Sequence, residues 1–252
     1  MRTEAASDAW DEIDPASPSD GGYDALAASY DGWTRLAFGR RLERFRHEAL
    51  TRGFAHAVDI RDDPRGLSVA ILGDGRGHCA RWLLENRICK TLILVDRSQA
   101  MLQIAAETTR ACMPLHPTAD VRLRHADARD GLPIRERIDV WILPFVLDCF
   151  AAEELERLLQ RLREHAHAAT RYVVIDFAKP EGNSLSRSAW GRVQLWAMHR
   201  FFRWRTDLPN RRLLDLPRAT SRAFGHADWQ CRRGSILWAA GYGSDASSDN
   251  RP

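Results

Sequence analysis

Leu67-Ser68-Val69-Ala70-Ile71-Leu72-Gly73-Asp74-Gly75-Arg76-Gly77 opens the stretch that decides the fold, and Thr91-Leu92-Ile93-Leu94-Val95-Asp96 closes it. The first run is short, apolar, continuous and rich in branched side chains, the pattern of a strand buried on both faces of a parallel sheet. Alternate glycines at 73, 75 and 77 then allow a sharp turn and a close approach of backbone to a ligand, with no Cβ in the way. The segment His78 to Asn86 reads as a helix whose first-turn amides would face that ligand. The second apolar run ends in Asp96, nineteen residues beyond Gly77. A carboxylate there can accept hydrogen bonds from both hydroxyls of a ribose.

The spacing separates nucleotide folds. A dinucleotide fingerprint, G-x-G-x-x-G, needs a glycine where this chain has His78, and a phosphate loop needs a Gly-Lys-Ser/Thr ending that is missing here. What stands at 73 to 77 is G-x-G-x-G. In this the chain resembles the class I S-adenosylmethionine (SAM)-dependent methyltransferases, whose first motif is a hydrophobic strand followed by that turn and whose second is an acid ending the next strand. The resemblance implies SAM as cofactor, held by Gly73, Asp74, Gly75, Gly77 and Asp96. One position departs from the family: two residues before the first glycine, where an acid is usual, stands Ile71. Asp74, inside the turn, is the nearest substitute.

Further matches follow in chain order. Asp96-Arg97-Ser98-Gln99-Ala100-Met101-Leu102 is similar to the family's Asp-x-Ser-x-x-Met-Leu, which implies that Arg97 and Met101 flank the adenine. Met101 as a plain helix-to-sheet packing residue is the equal alternative, and Ser98 reads as a helix cap. The run from Val121 alternates like a strand and stops at Asp127-Ala128. By resemblance, Asp127 takes the exocyclic amine of adenine and the Ala128 amide a ring nitrogen; by itself an acid after a strand is a turn residue. A fourth strand, Asp139 to Leu143, exits at Pro144-Phe145, because proline does not continue a central strand. Ligands of open α/β sheets lie beyond the carboxyl ends of the strands, so Pro144, Phe145 and Asp148 should face the transferable methyl. Asp148 is the best-placed acid to orient or deprotonate an acceptor; otherwise it caps the helix from Ala151 to about Ala168.

Arg171 to Phe177 is a fifth buried strand. After it, residues 179 to 217 leave the core pattern, with Trp190, Trp196, Phe201, Phe202 and Trp204 among arginines. The family inserts its substrate lid here, and His199 beside these aromatics is a second candidate base. Aromatics packed on the sheet under snorkelling arginines, or a grip on single-stranded nucleic acid, are the other readings of the segment. Ala227 to Ala240 reads as two strands around Gly234, matching the family's antiparallel closing hairpin with strand seven between five and six. At the other end, a helical pattern runs from Tyr23 to about Phe54. Its opening, Tyr23 to Asp31, is similar to that of ubiquinone/menaquinone-biosynthesis-type methyltransferases, which implies that Tyr30 lines the cofactor site.

At 252 residues the chain suits one α/β domain with an appendage. The expected architecture is a Rossmann-like, mostly parallel seven-stranded sheet with helices on both faces, its last strand antiparallel. The domain spans 23–243 with the lid at about 179–217; the acidic, unpatterned residues 1–22 and the polar residues 244–252 read as disordered tails. No apolar run approaches the roughly 20 residues of a membrane span, so a cytoplasmic protein is expected. The five cysteines lack any C-x-x-C pairing, which favours buried thiols in a reducing compartment over disulfides or a metal site. The net charge of +3 hides an asymmetry. Residues 1–31 hold eight acids against one arginine, and residues 187–222 nine arginines against two aspartates. The acidic end can shield the basic one and argues against a polyanionic partner. The expected activity is methyl transfer from SAM to a small hydrophobic or aromatic acceptor, at oxygen or carbon. RNA methylation and a catalytically silent SAM-fold binding protein remain open beside it.

Overall fold

The structure is a computed structural model that describes residues 40–58, 66–179, 214–234 and 236–243. In chain order the elements are α1 (Arg41–Val58), β1 (Leu67–Leu72), α2 (His78–Glu85), β2 (Cys89–Asp96), α3 (Gln99–Cys112) and β3 (Asp120–His125). Then follow β4 (Val140–Pro144), α4 (Ala152–Glu164), β5 (Arg171–Phe177), α5 (Leu216–Phe224), β6 (Ala227–Arg233) and β7 (Leu237–Gly243).

The strands form one sheet in the order β3-β2-β1-β4-β5-β7-β6. Strands β1 to β5 pair in parallel, and β7 enters antiparallel between β5 and β6. This is the class I methyltransferase sheet expected from the sequence. Its central strands are predominantly apolar because both faces are covered. Val69, Ile71, Leu92, Leu94, Ile142 and Ile175 face one layer, made by α1, α2 and α3. Ala70, Leu72, Trp141, Leu143, Tyr172 and Val174 face the other, where α4 presents Leu155, Leu158, Leu159 and Leu162.

Local chemistry sets the boundaries. Ser98 caps α3, its hydroxyl accepting from the Met101 amide at 3.2 Å. Helix α4 stops at Glu164, four residues short of the expected end, because the backbone turns back and the His167 amide donates to Thr170 Oγ1 at 3.0 Å. Helix α5 has no counterpart in the sequence reading. It is short, carries Pro217 in its first turn and is capped by Asp215, and its Phe224 stacks on Tyr172 with centroids 3.9 Å apart.

Among the described residues no helix is long and apolar enough to cross a membrane. Tyr23, Tyr30, both tails and His199 lie outside the described residues, as does most of the 179–217 segment.

Candidate functional site

The sheet order reverses between β1 and β4, and such switch points are where open α/β sheets receive ligands. The glycine turn leaves β1 there, tied to β2 by the Gly73 amide donating to the Val95 carbonyl at 2.8 Å. Gly73, Gly75 and Gly77 all have left-handed φ, at 73°, 60° and 81°, a region that side chains with a Cβ avoid. Their surroundings differ. A Cβ on Gly73 would lie 2.7 Å from Val146 Cγ2, and one on Gly77 3.1 Å from the Ala105 Cα. Those two let the turn lie flat on the β4 exit and let α2 approach α3. A Cβ on Gly75 would meet only Met101 Sδ, at 4.0 Å. Gly75 is thus the glycine whose face is open to a ligand.

Asp74 and the start of α2 differ from the expectation. The Cys79 and Ala80 amides donate to the two Asp74 carboxylate oxygens at 2.9 and 2.8 Å. The N-cap of α2 is Gly77, which has no side chain to offer, so the acid three residues earlier caps the helix instead. The Cys79 and Ala80 amides are thus taken up by Asp74, and each Asp74 oxygen is engaged with the start of α2. Ile71 itself is fully buried in the core.

Asp96 ends β2 as expected. One oxygen accepts from the Gly75 amide at 3.3 Å and the other from the Ser98 amide at 3.0 Å, which fixes the carboxylate beside the open glycine. Met101 is 2% exposed and supports the turn from below. Asp127 follows β3 and is gripped by Arg129, whose Nη2 donates at 2.6 Å and whose Nε donates at 3.0 Å; Arg97 Nε stands 3.7 Å away. Burial pushes the Asp127 carboxyl up, but these hydrogen bonds and charges outweigh it and leave it below its ordinary value. Ala128 is buried, its carbonyl accepting from Arg161 at 3.0 Å.

Pro144 is the last residue of β4. Phe145 then adopts a φ of 54°, uncommon for a bulky side chain, and is held by its amide donating to the Ile175 carbonyl at 2.6 Å. Its ring packs on Phe177, centroids 5.1 Å apart. Asp148 lies in a single 3₁₀ turn, Leu147–Cys149, and does not cap α4; at that helix the Ala151 amide donates to Glu154 at 2.8 Å. Burial pushes the Asp148 carboxyl up to about 6.

Asp176 was not singled out from sequence. It is fully buried near the end of β5 and accepts from the Leu147 amide at 3.0 Å and the Phe177 amide at 2.7 Å. Burial, then the neighbouring Asp148 charge, push its carboxyl well above the ordinary range. The available signal was one acid inside an otherwise apolar strand.

Residues 69–168 match the family model of a methyltransferase domain. A comparison with curated protein sequences finds no match. Among solved structures, the chain is similar to the N-methyltransferase NodS from Bradyrhizobium japonicum WM9, in complex with S-adenosyl-L-homocysteine. The identity is 14%, over 88% of this chain and 96% of that one, with a TM-score of 0.59. Magnesium protoporphyrin IX methyltransferase from Synechocystis PCC 6803, with S-adenosyl-L-homocysteine bound, gives 15% identity over 87% of this chain and 95% of that one, with a TM-score of 0.57. Mitomycin 7-O-methyltransferase MmcR gives 16% identity and a TM-score of 0.55; the match covers 88% of this chain and spans 60% of that relative's length. These likenesses speak for the fold, while the family model spans the glycine turn, Asp96 and Asp127. Residues 69–168 therefore match a methyltransferase domain, on a sheet of the class I SAM-dependent methyltransferase order, with SAM as the cofactor.

Proposed function

We propose that this protein methylates a small, hydrophobic or aromatic acceptor at oxygen or carbon, as a relative of the ubiquinone/menaquinone-biosynthesis-type methyltransferases. The observation that carries the reading is the open face of Gly75 beside the fixed Asp96 carboxylate, a cradle that a Cβ would fill. The donor set suits the cofactor. Asp96 accepts from the ribose hydroxyls, Met101 and Arg97 border the base, and the Ala128 amide and Asp127 read its edge, Asp127 shared with Arg129. SAM supplies a methyl group that is already activated, so the protein's work is alignment and the exclusion of water.

For a hydroxyl acceptor, Asp148 serves as the base. It stands at the β4 exit and titrates at about 6, so near neutral pH it is ionised and able to take a proton. By the family resemblance, residues 179–217, His199 among them, take the role of the acceptor lid and Tyr30 that of a cofactor contact. The buried thiols of Cys79, Cys89 and Cys112 fit a reducing cytoplasm. Support for a small acceptor comes from similar folds that carry names such as mitomycin 7-O-methyltransferase and magnesium protoporphyrin IX methyltransferase. Calorimetry with SAM and S-adenosylhomocysteine, followed by a labelled-methyl screen over hydroxylated aromatics, tests the proposal. Binding without methylation of any small acceptor would leave only a SAM-binding protein.

A further inference from the structure

Strands β2 and β3 run side by side and end together. Asp96 pairs with His125 across the sheet, and the Ala126 amide donates to the Asp96 carbonyl at 3.1 Å. Asp127 therefore follows on the strand next to Asp96, on the side away from β1 and β4. A nucleoside whose ribose is at Asp96 and whose tail runs to the switch point lays its base on this side. The acid there is already engaged. Its Oδ1 accepts from the Arg129 amide at 2.9 Å and from Arg129 Nε at 3.0 Å. Its Oδ2 accepts from the same Nε at 3.0 Å and from Arg129 Nη2 at 2.6 Å. A carboxylate has about four lone-pair sites, so Arg129 alone takes up what Asp127 has to offer. Arg97 Nε, 3.7 Å from Oδ2, crowds the same oxygen.

Two kinds of donor thus compete for one carboxylate. The exocyclic amine of adenine is neutral, whereas a guanidinium makes charge-assisted bonds about twice as strong as neutral ones. The backbone does not depend on the pair. The Asp127 carbonyl accepts from the Asp130 amide at 3.0 Å, and Arg161 Nη1 donates to the carbonyls of Ala128 and Arg129 at 3.0 and 2.8 Å. The Arg129 side chain can therefore be removed with the turn left in place.

We propose that Arg129 is the specificity-determining residue of the base subsite: by holding Asp127 it keeps that carboxylate from the adenine amine, so the site takes purine ligands with or without a 6-amino group almost equally. The inference rests on the SAM reading and on the place of Asp127 in it, and deepens both.

The test is calorimetry on the full chain with S-adenosylhomocysteine and its purine analogue, in which hydrogen replaces the 6-amino group. The wild-type protein should bind the two within about fivefold of each other, less than a full hydrogen bond to a charged group would give. In Arg129→Ala the carboxylate is released to the amine. S-adenosylhomocysteine should then bind more tightly, the purine analogue should keep its wild-type affinity, and their ratio should grow to about 10- to 100-fold. Arg129→Met, which keeps the apolar stem, should do the same and serves if the alanine variant fails to fold. Adding Asp127→Ala to Arg129→Ala should return the ratio to the wild-type value. A ratio unchanged by removal of Arg129 would overturn the proposal and leave SAM binding intact, and this includes the case in which both ligands weaken together. So would a wild-type protein that already prefers S-adenosylhomocysteine by about tenfold or more, the full hydrogen bond having then been made beside Arg129. A wild-type protein that binds neither ligand overturns the cofactor reading together with this one.

Discussion

Asp148 and Asp176 are separated in sequence by a helix, yet the fold brings the β4 exit and the end of β5 together. Burial raises the proton affinity of both, and the Asp148 charge raises that of Asp176 further. Asp148 holds its proton up to about 6 instead of the ordinary 3.8. A carboxyl whose folded-state value is raised adds stability below its unfolded value and loses it as pH rises through the folded one. Wild type should thus lose stability relative to Asp148→Asn as pH goes from about 4 to about 6; urea unfolding at several pH values checks the sign. Methylation of a hydroxyl acceptor should rise with pH through the same range, and the Asn variant should lack that limb. A pH profile shared by both proteins would remove Asp148 from proton transfer.

At the scale of elements, the glycine turn combines two jobs that substitution can separate. Gly77→Ala forces a Cβ to within 3.1 Å of the α3 backbone at a left-handed φ, so a loss of about 2–4 kcal/mol is expected from strain and overpacking together. Gly75→Ala meets no such neighbour and should lose only about 1–2 kcal/mol, while its methyl intrudes on the ligand. Thermal unfolding should therefore rank Gly77→Ala as the less stable of the two, with S-adenosylhomocysteine affinity falling most in Gly75→Ala relative to its stability. Ile71→Asp would write the family's usual acid back into β1. Since Ile71 is wholly buried among Leu94, Ile142 and the helices above them, the change should destabilise by about 3 kcal/mol or more and not tighten the cofactor. Tighter binding with unchanged stability would show the position to be open to the site after all.

Over the whole molecule, the site joins β1, β2 and β4 with the helices above them, so a ligand there stabilises the fold and not one loop. Saturation with S-adenosylhomocysteine at about 100 times its Kd should raise the unfolding free energy by about 2.7 kcal/mol. Asp96→Ala should weaken that ligand by about 10- to 100-fold and shrink the effect accordingly. Differential scanning calorimetry across ligand concentrations reads both, and an Asp96→Ala protein protected as well as wild type would rule out the ribose contact. Hydrogen exchange should slow in the turn and along α1 as well, because Arg46 and Phe145 couple that helix to the β4 exit.

The strands, the glycine turn, Asp96 and the closing hairpin were legible in the chain by itself, while the order of the strands in the sheet was what the family resemblance implied. They rest on short-range facts: continuous apolar runs for strands covered on both faces, glycines where φ turns positive, and an acid at a strand's end. Packing decided what the rest would do. Asp74 became a helix cap because Gly77 has no side chain to cap with, and Asp148 became a raised acid because the fold buries it at the β4 exit. Arg46 reads in sequence as one more arginine on an amphipathic helix; only the way α1 crosses the sheet buries it over Phe145. Periodicity and spacing are properties of neighbours along the chain. Burial, and with it the charge and proton affinity of a side chain, belongs to neighbours in space.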